Sequence, residues 1–480
     1  MFTRNIHKDI SAIWYKFNGL SKWANISLDD VQALANEKNL EVISIDEVNF
    51  GYMLKIKGVL LKTSVGSAIF PREKLKDIEL YQKNILPTNN LENFWKAVDW
   101  FSPAFIPNKK VYDAIKESGI EIINHGIYRP EVIQKRFEGS LTSVYNLGNI
   151  ISTTEITFLN SVAISRHVPL IRESILTFYS GMKIVAISAL IPIVENIITT
   201  ILGSSNNDLT IVDKVNKCID KAIEAVIDMH LLNADWIPDE YLDINVLKVT
   251  NERIFILETI RSWLLNSFYK KTDTYQNHSG FNRHVFAHAK SEIWHNSSNF
   301  FRALGVIQAM AFVECFAVDN SKISTSVPGH DENSEVLRQE VFACLNYQAI
   351  KQQVLTQQKN SQNLPFNPTS SGDGWLTRAT ILSDKMNNEV VIRLRDNNWD
   401  CYDISAPVQD GEFISLQAKK NNNVIKVALL FSCASSNDLY KSLAEDHDYI
   451  LYQGAPYYQD EYARGADAII RPLNAWIAPE

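Results

Sequence analysis

The chain is expected to be mainly α, with a central helical bundle flanked by an N-terminal mixed α/β region and a C-terminal α+β domain. Three observations predict this. Residues 152–353 carry long apolar repeats at helical spacing with few glycines, whereas 41–70 and 377–452 carry short strand-like runs. Between the last two patterns lies QQKNSQNLPFNPTSSGDG, residues 357–374, whose Pro, Gly, Ser and Asn content reads as a linker. At 480 residues the chain is too long for one small core. The expected division is therefore 1–150 (mixed α+β), 151–355 (all-α), 356–374 (linker) and 375–480 (α+β).

From the N-terminus, Ser27 before Leu28-Asp29-Asp30-Val31 is a helix cap with acidic first-turn residues, opening a helix to Lys38. EVISIDEV and YMLKIKGVLLKT, separated by turn residues including Gly51, read as strands. Short helices with aromatic faces follow at 91–101 and 110–117. The bundle begins with a helix after His167, where Pro169 fits a first turn. Further helices are expected at 182–202, 209–229, 246–269, from Arg283 onward, and at 299–317. Beyond the linker, strands are expected at 377–382, 390–395, 413–417, 425–431 and 449–452, with a helix at 437–445 and a helix start around 457–462.

Composition narrows the function. With 46% apolar and 21% charged residues the chain is ordinary for a folded protein. A net charge of −8 argues against a surface coated for non-specific nucleic-acid binding, so any such contact is confined to a local site. Cys218, Cys315, Cys344, Cys401 and Cys433 are scattered and odd in number, as in a reduced cytoplasmic protein rather than a disulfide framework or zinc ribbon. MFTRNIHKDISAIW has charges where a signal peptide has an apolar run. The most apolar window, 184–202, contains Pro192, Glu195 and Asn196 and reads as a buried helix, with no membrane contact expected.

The most pointed chemistry lies in QNHSGFNRHVFAHAKSEIWH, which holds four of the ten histidines: His278, His284, His288 and His295. Within it, Arg283-His284-Val-Phe-Ala-His288 sets an always-charged guanidinium a fixed step ahead of an imidazole that titrates near neutrality. Five residues turn a regular helix through about 500°, so Arg283 and His288 would point about 140° apart in mid-helix. Two arrangements reconcile them. Ser279-Gly280-Phe281-Asn282 can end in an N-cap, giving Arg283 the first helical position and a freer direction. Alternatively, two copies meet across a two-fold axis, each arginine facing the other chain's histidine.

Phe281-Asn-Arg-His-Val-Phe-Ala-His288, late in an all-α region, resembles the Arg-x4-His signature of the HEPN superfamily, in the form found in abortive-infection-like bacterial proteins. The helices 166–179 and 184–198, the latter with an expected buried Glu195, are similar to a pair that precedes the motif there. Asn299 and Arg302-Ala303-Leu304 resemble the helix that follows it, while Ala289 stands where the family usually has glycine. The resemblance covers residues 152–320. It implies a metal-independent, homodimeric endoribonuclease without cofactor that leaves 2′,3′-cyclic phosphate ends on RNA. His288 would move the proton of the attacking 2′-hydroxyl or the leaving oxygen, Arg283 would neutralise the phosphorane, and His284 would orient phosphate or imidazole. A toxin or antiviral effector restrained or triggered through its outer domains, by a regulatory partner or ligand, is the expected setting.

Other readings compete. His284, His288 and His295 fall near one face of a helical wheel, but His295 would lie about 10 Å along the axis from the first two, too far for one zinc ion. A catalytically inactive helical bundle of the same kind, acting as a binding or sensor module, keeps the same residue types. Arg166-His167 repeats the dipeptide but has Ile171 at the fifth step. Trp14, Trp23, Trp95 and Trp100 read as core or interface anchors, and Cys433 as part of a buried strand followed by an N-cap.

Overall fold

The computed structural model describes the chain except residues 1, 21, 124, 125, 127, 128, 289–292, 361–374, 408–410, 455, 457 and 458. It is mainly α, with two small sheets. The N-terminal helices α1 (Lys8–Asn18) and α2 (Leu28–Glu37) precede an antiparallel meander of β1 (Val42–Phe50), β2 (Ile56–Thr63) and β3 (Gly66–Pro71). α1 buries Ile10, Ile13, Trp14 and Phe17, one stripe at helical spacing. α2 starts with a capping box in which Ser27 and Asp30 satisfy each other's backbone N–H groups.

Helices then dominate. α3 (Glu79–Ala97), α4 (Asn108–Glu117), α5 (Pro130–Val144) and α6 (Leu147–Ser152) lead into α7 (Val168–Tyr179), α8 (Lys183–Leu202) and α9 (Ile211–His230). α10 (Ile244–Thr250), α11 (Glu252–Trp263), the five-residue α12 (Arg283–Ala287), α13 (Ser298–Ala317) and α14 (Glu332–Asn360) complete this part. α13 is the central rod: it packs against α5, α8 and α9, and every one of its residues except Cys315 is buried. At Gly305 an added Cβ would lie 2.6 Å from Tyr145 Cζ and 2.8 Å from the Trp100 ring, so only glycine lets these elements close up. α8 and α13 are both long and apolar enough to cross a membrane by length and composition. Here α13 lies inside the protein and α8 has one face in the core.

No break in packing separates 1–150 from 151–355. α6 runs through residue 150 and continues into a π-helical turn, Thr153–Phe158. One hydrophobic core extends from Ile10 to Val341. Its seam is backbone-bonded: Trp236 N donates to Ser67 O (3.1 Å) and Ile69 N to Trp236 O (2.9 Å), joining the segment after α9 to β3. Gly51 N donates to His230 O (2.9 Å), tying the end of β1 to α9. Trp14, Trp23, Trp95 and Trp100 are all buried.

The C-terminal part differs from expectation in its first two strands. Residues 377–382 and 390–395 are helical, in α15 (Trp375–Lys385), a π-helical turn Met386–Val390 and α16 (Val391–Asp396). Ala379, Leu382, Met386, Val390 and Leu394 are buried at steps of three or four, the helical period. Their β-branched neighbours had suggested strand. The sheet comprises β4 (Asp400–Tyr402), β5 (Phe413–Lys420) and β6 (Asn423–Leu430) in antiparallel array. After β6 come α17 (Asn437–Ala444), β7 (Tyr449–Tyr452), α18 (Gln459–Tyr462) and β8 (Ile469–Pro472), with β7 and β8 added in parallel. Val427 and Leu429 enter one core, Ala428 and Leu430 the other, so the sheet is covered on both faces. α14 reaches Asn360, so 357–360 is helix, and the rest of the expected linker, 361–374, lies outside the described residues, as do Ala289, Tyr457 and Tyr458.

His230 is 3% exposed, hydrogen-bonded between Nδ1 and Asn251 Nδ2 (3.2 Å), and burial lowers its pKa from 6.5 to about 4. The unfolded chain therefore takes up a proton below pH 6.5 that the folded chain resists until about pH 4. Stability from this residue is complete above pH 6.5 and falls by about 3 kcal/mol on acidification to pH 4. Urea midpoints measured across that range should drop for the native chain and drop markedly less for His230→Gln; equal slopes would refute the assignment.

Candidate functional site

Asn282 builds the site. It is 1% exposed and its Oδ1 accepts from the backbone N–H of His284 (2.8 Å) and Val285 (3.0 Å), capping α12. Its Nδ2 donates to the carbonyl oxygens of Ser267 (2.7 Å) and Lys270 (2.8 Å), which anchors the cap to the π-helical turn Leu264–Phe268 and the residues just after it, beyond the end of α11. Asn299 on α13 donates to Ser279 O (2.7 Å) and Trp294 O (2.9 Å), gripping the chain on both sides of the short helix. Ser279 Oγ in turn donates to the buried Asp99 carboxylate (2.9 Å). The loop that delivers α12 is thus held by buried polar groups, each costly to leave unpaired.

Arg283 takes the first helical position, as the capping reading of Ser279–Asn282 expects, and His288 takes the C-cap, where its N–H bonds to His284 O (3.1 Å). α12 stops after five residues, so the motif occupies both ends of one short helix rather than the middle of a long one. Arg283 and His284 are half-buried and His288 is exposed. Burial lowers the His284 pKa, the nearby charges of Arg283 and His288 lower it further, and Glu195 opposes them. His284 therefore stays neutral at neutral pH while sensing both motif partners.

Arg283 does not face solvent alone. Its Nε donates to Glu195 Oε2 on α8 (3.0 Å). The Glu195 side chain is 43% exposed, which corrects the expectation that it is buried: it lies on the outer face of α8. Between α8 and α12 runs an open groove of about 420 Å³ lined by Pro192, Glu195, Asn196, Thr199, Arg283 and Phe286. His278 and His295 lie elsewhere, His278 with its backbone N–H donating to Gln134 Oε1 (2.7 Å) and His295 in a turn beside Trp294. Among the described residues no group of three or more His, Cys, Asp or Glu could hold a metal ion.

A second Arg-His pair, set aside on sequence because its fifth step is Ile171, reaches the same helix. Arg166 Nη2 donates to Asn196 Oδ1 and to Thr200 Oγ1 (2.9 Å), and His167 Nε2 lies 2.9 Å from Asn196 Oδ1. Their turn is fixed from below by the fully buried Glu314 of α13, which accepts from Val162 N (2.6 Å) and Ala163 N (3.2 Å). One face of α8 thus gathers two arginines and a histidine around Glu195 and Asn196. The repeated dipeptide was the available signal, but only the fold brings both copies to one helix.

No protein-family model, curated protein or solved structure matches this chain.

Asn282→Ala removes two accepted and two donated hydrogen bonds at a buried position. It should cost about 2 kcal/mol of stability and raise amide exchange across 283–288. An unchanged melting temperature together with unchanged exchange would show that the cap does not hold α12.

Proposed function

We propose that the chain is a metal-independent endoribonuclease of HEPN type that acts as a homodimer and serves as a toxin or antiviral, abortive-infection effector. The observation that carries this reading is that Arg283, His284 and His288 share one short helix, with Arg283 lining an open groove and His288 exposed at the helix end. The chemistry needs a base for the 2′-hydroxyl proton, an acid for the 5′-oxygen and a cation on the phosphate. Two copies meeting with α12 inward bring two such sets to one cleft. One His288 takes the 2′-hydroxyl proton as the 2′-oxygen bonds to phosphorus. The other returns a proton as the bond to the 5′-oxygen breaks, leaving a 2′,3′-cyclic phosphate. DNA, lacking the 2′-hydroxyl, is not cut.

The Arg283–Glu195 pair does not block this role. Both side chains are more than a third exposed, and such pairs contribute at most about 1 kcal/mol. A phosphate accepting paired hydrogen bonds from a guanidinium in a water-poor cleft gains several times that. The ion pair then parks the guanidinium at the groove until phosphate displaces the carboxylate.

The same ion pair favours a second reading, a catalytically inactive helical binding or sensor module, since Glu195 neutralises the one cation the motif supplies. Purified protein incubated with RNA in EDTA separates the two. Cleavage with 2′,3′-cyclic phosphate ends is expected. Arg283→Ala and His288→Ala should each lower the rate by at least about 100-fold, and abolish any growth toxicity, without changing the melting temperature. Wild-type cleavage that persists in both variants ends the proposal; no cleavage by intact protein supports the binding module, and loss in EDTA a metal.

A further inference from the structure

The proposed reaction uses Arg283 but makes no use of the second arginine on α8. Arg166 and His167 reach that helix from the 3₁₀ turn Ser165–His167 that precedes α7. Arg166 is exposed, and its Nη2 donates to Asn196 Oδ1 and to Thr200 Oγ1 (2.9 Å). His167 Nε2 lies 2.9 Å from the same Asn196 oxygen, and Asn196 itself lines the groove that Arg283 borders. The approach is fixed from behind. The buried Glu314 accepts from Ser161 Oγ and Val162 N, and Ser161 Oγ accepts from Ile164 N (2.8 Å), two residues ahead of Arg166. Arg283 is paired with a carboxylate, whereas among the described residues no carboxylate pairs with Arg166 and its Nη1 donates to no protein atom.

A guanidinium with unused donors, held against a groove by neutral oxygens, is suited to an anion with several acceptor atoms. The placement along α8 selects which anion. Arg283 docks at Glu195, and Arg166 spans Asn196 to Thr200. The two cations are therefore offset by up to five residues, about 7.5 Å of helix rise. Neighbouring phosphates of one RNA strand are separated by a comparable step, whereas a lone carboxylate or phosphate would engage only one of the two. We infer that Arg166 binds the phosphate next to the scissile one, so that a single RNA strand lies along α8 with consecutive phosphates on Arg166 and Arg283. This rests on the ribonuclease reading of Arg283 and His288. Asn196 and Thr200 hold the guanidinium extended before RNA arrives, which lessens the ordering needed on binding. No bond is made or broken at this second position.

The test uses the full chain and a labelled single-stranded RNA hexanucleotide whose 2′-hydroxyls are all methylated, so that it binds but is not cut. Fluorescence anisotropy is followed across a series of salt concentrations. Arg166→Ala should weaken binding about tenfold at an unchanged melting temperature. It should also flatten the plot of log affinity against log salt by about 0.7, the contribution of one phosphate contact to a single strand. Arg166→Lys should restore the slope but only part of the affinity, because it keeps the charge and loses the fork of donors. A lower melting temperature with an unchanged slope would show a tether for the turn and overturn the inference. Parallel incubation with unmethylated RNA separates this inference from the reading beneath it. Cleavage by the native chain, with affinity and slope unaltered in Arg166→Ala, overturns the second phosphate position and spares the ribonuclease. Arg166-dependent binding without cleavage supports Arg166 as a phosphate-binding residue and removes the ribonuclease. No binding of the methylated RNA, or equal affinity for a glutamate hexapeptide, would also overturn the inference.

Discussion

The site depends on two buried amides. Asn282 and Asn299 are inside the protein, and an amide there must find partners or cost about 1–3 kcal/mol for each unpaired group. Both find them in the backbone of the segment 267–294: Asn282 in Ser267, Lys270, His284 and Val285, Asn299 in Ser279 and Trp294. Asn282 thereby ties the start of α12 back to the turn that follows α11, and Asn299 ties both flanks of α12 to the buried α13. The charged residues need no core of their own. They ride on a short helix whose position is dictated by hydrogen bonds beneath it.

The groove shows the same economy on its α8 side. α8 presents its apolar residues to α7, α9 and α13, which leaves Glu195, Asn196 and Thr199 on the remaining face. Polar groups there cost little because water reaches them, and they attract the arginines of two different segments. With two guanidiniums and one carboxylate, the resulting array is net positive even with Glu195 ionised. In a chain with a net charge of −8, that makes the groove a place where an anion meets cation rather than repulsion.

Much of this was legible in the chain itself, and what was not has identifiable physics. The long helices follow from apolar spacing at the 3.6 period, and Arg283 at a helix start follows from Asn282 after Gly280. The misreading at 377–395 arose because Ile, Val and Thr raise strand propensity, while the buried positions obey a helical step that tertiary packing selects. The Arg283–Glu195 pair spans 88 residues, and the union of residues 1–150 with the helices rests on Trp236 joining β3 from 168 residues away. Contacts of that range leave no local pattern.

The uninterrupted core from Ile10 to Val341 carries a consequence for how such a chain can be divided or inherited. A cut near residue 150 would strip β3 from Trp236 and open α6 in mid-helix, exposing apolar faces on both fragments. Recombination that grafts a new front half onto these helices would meet the same obstacle. The two-faced sheet after α14 carries its own pair of apolar layers, yet a graft there would also have to rebuild a seam, because α15 packs on α5 and α6 and Arg338 of α14 pairs with Asp384 and Glu389.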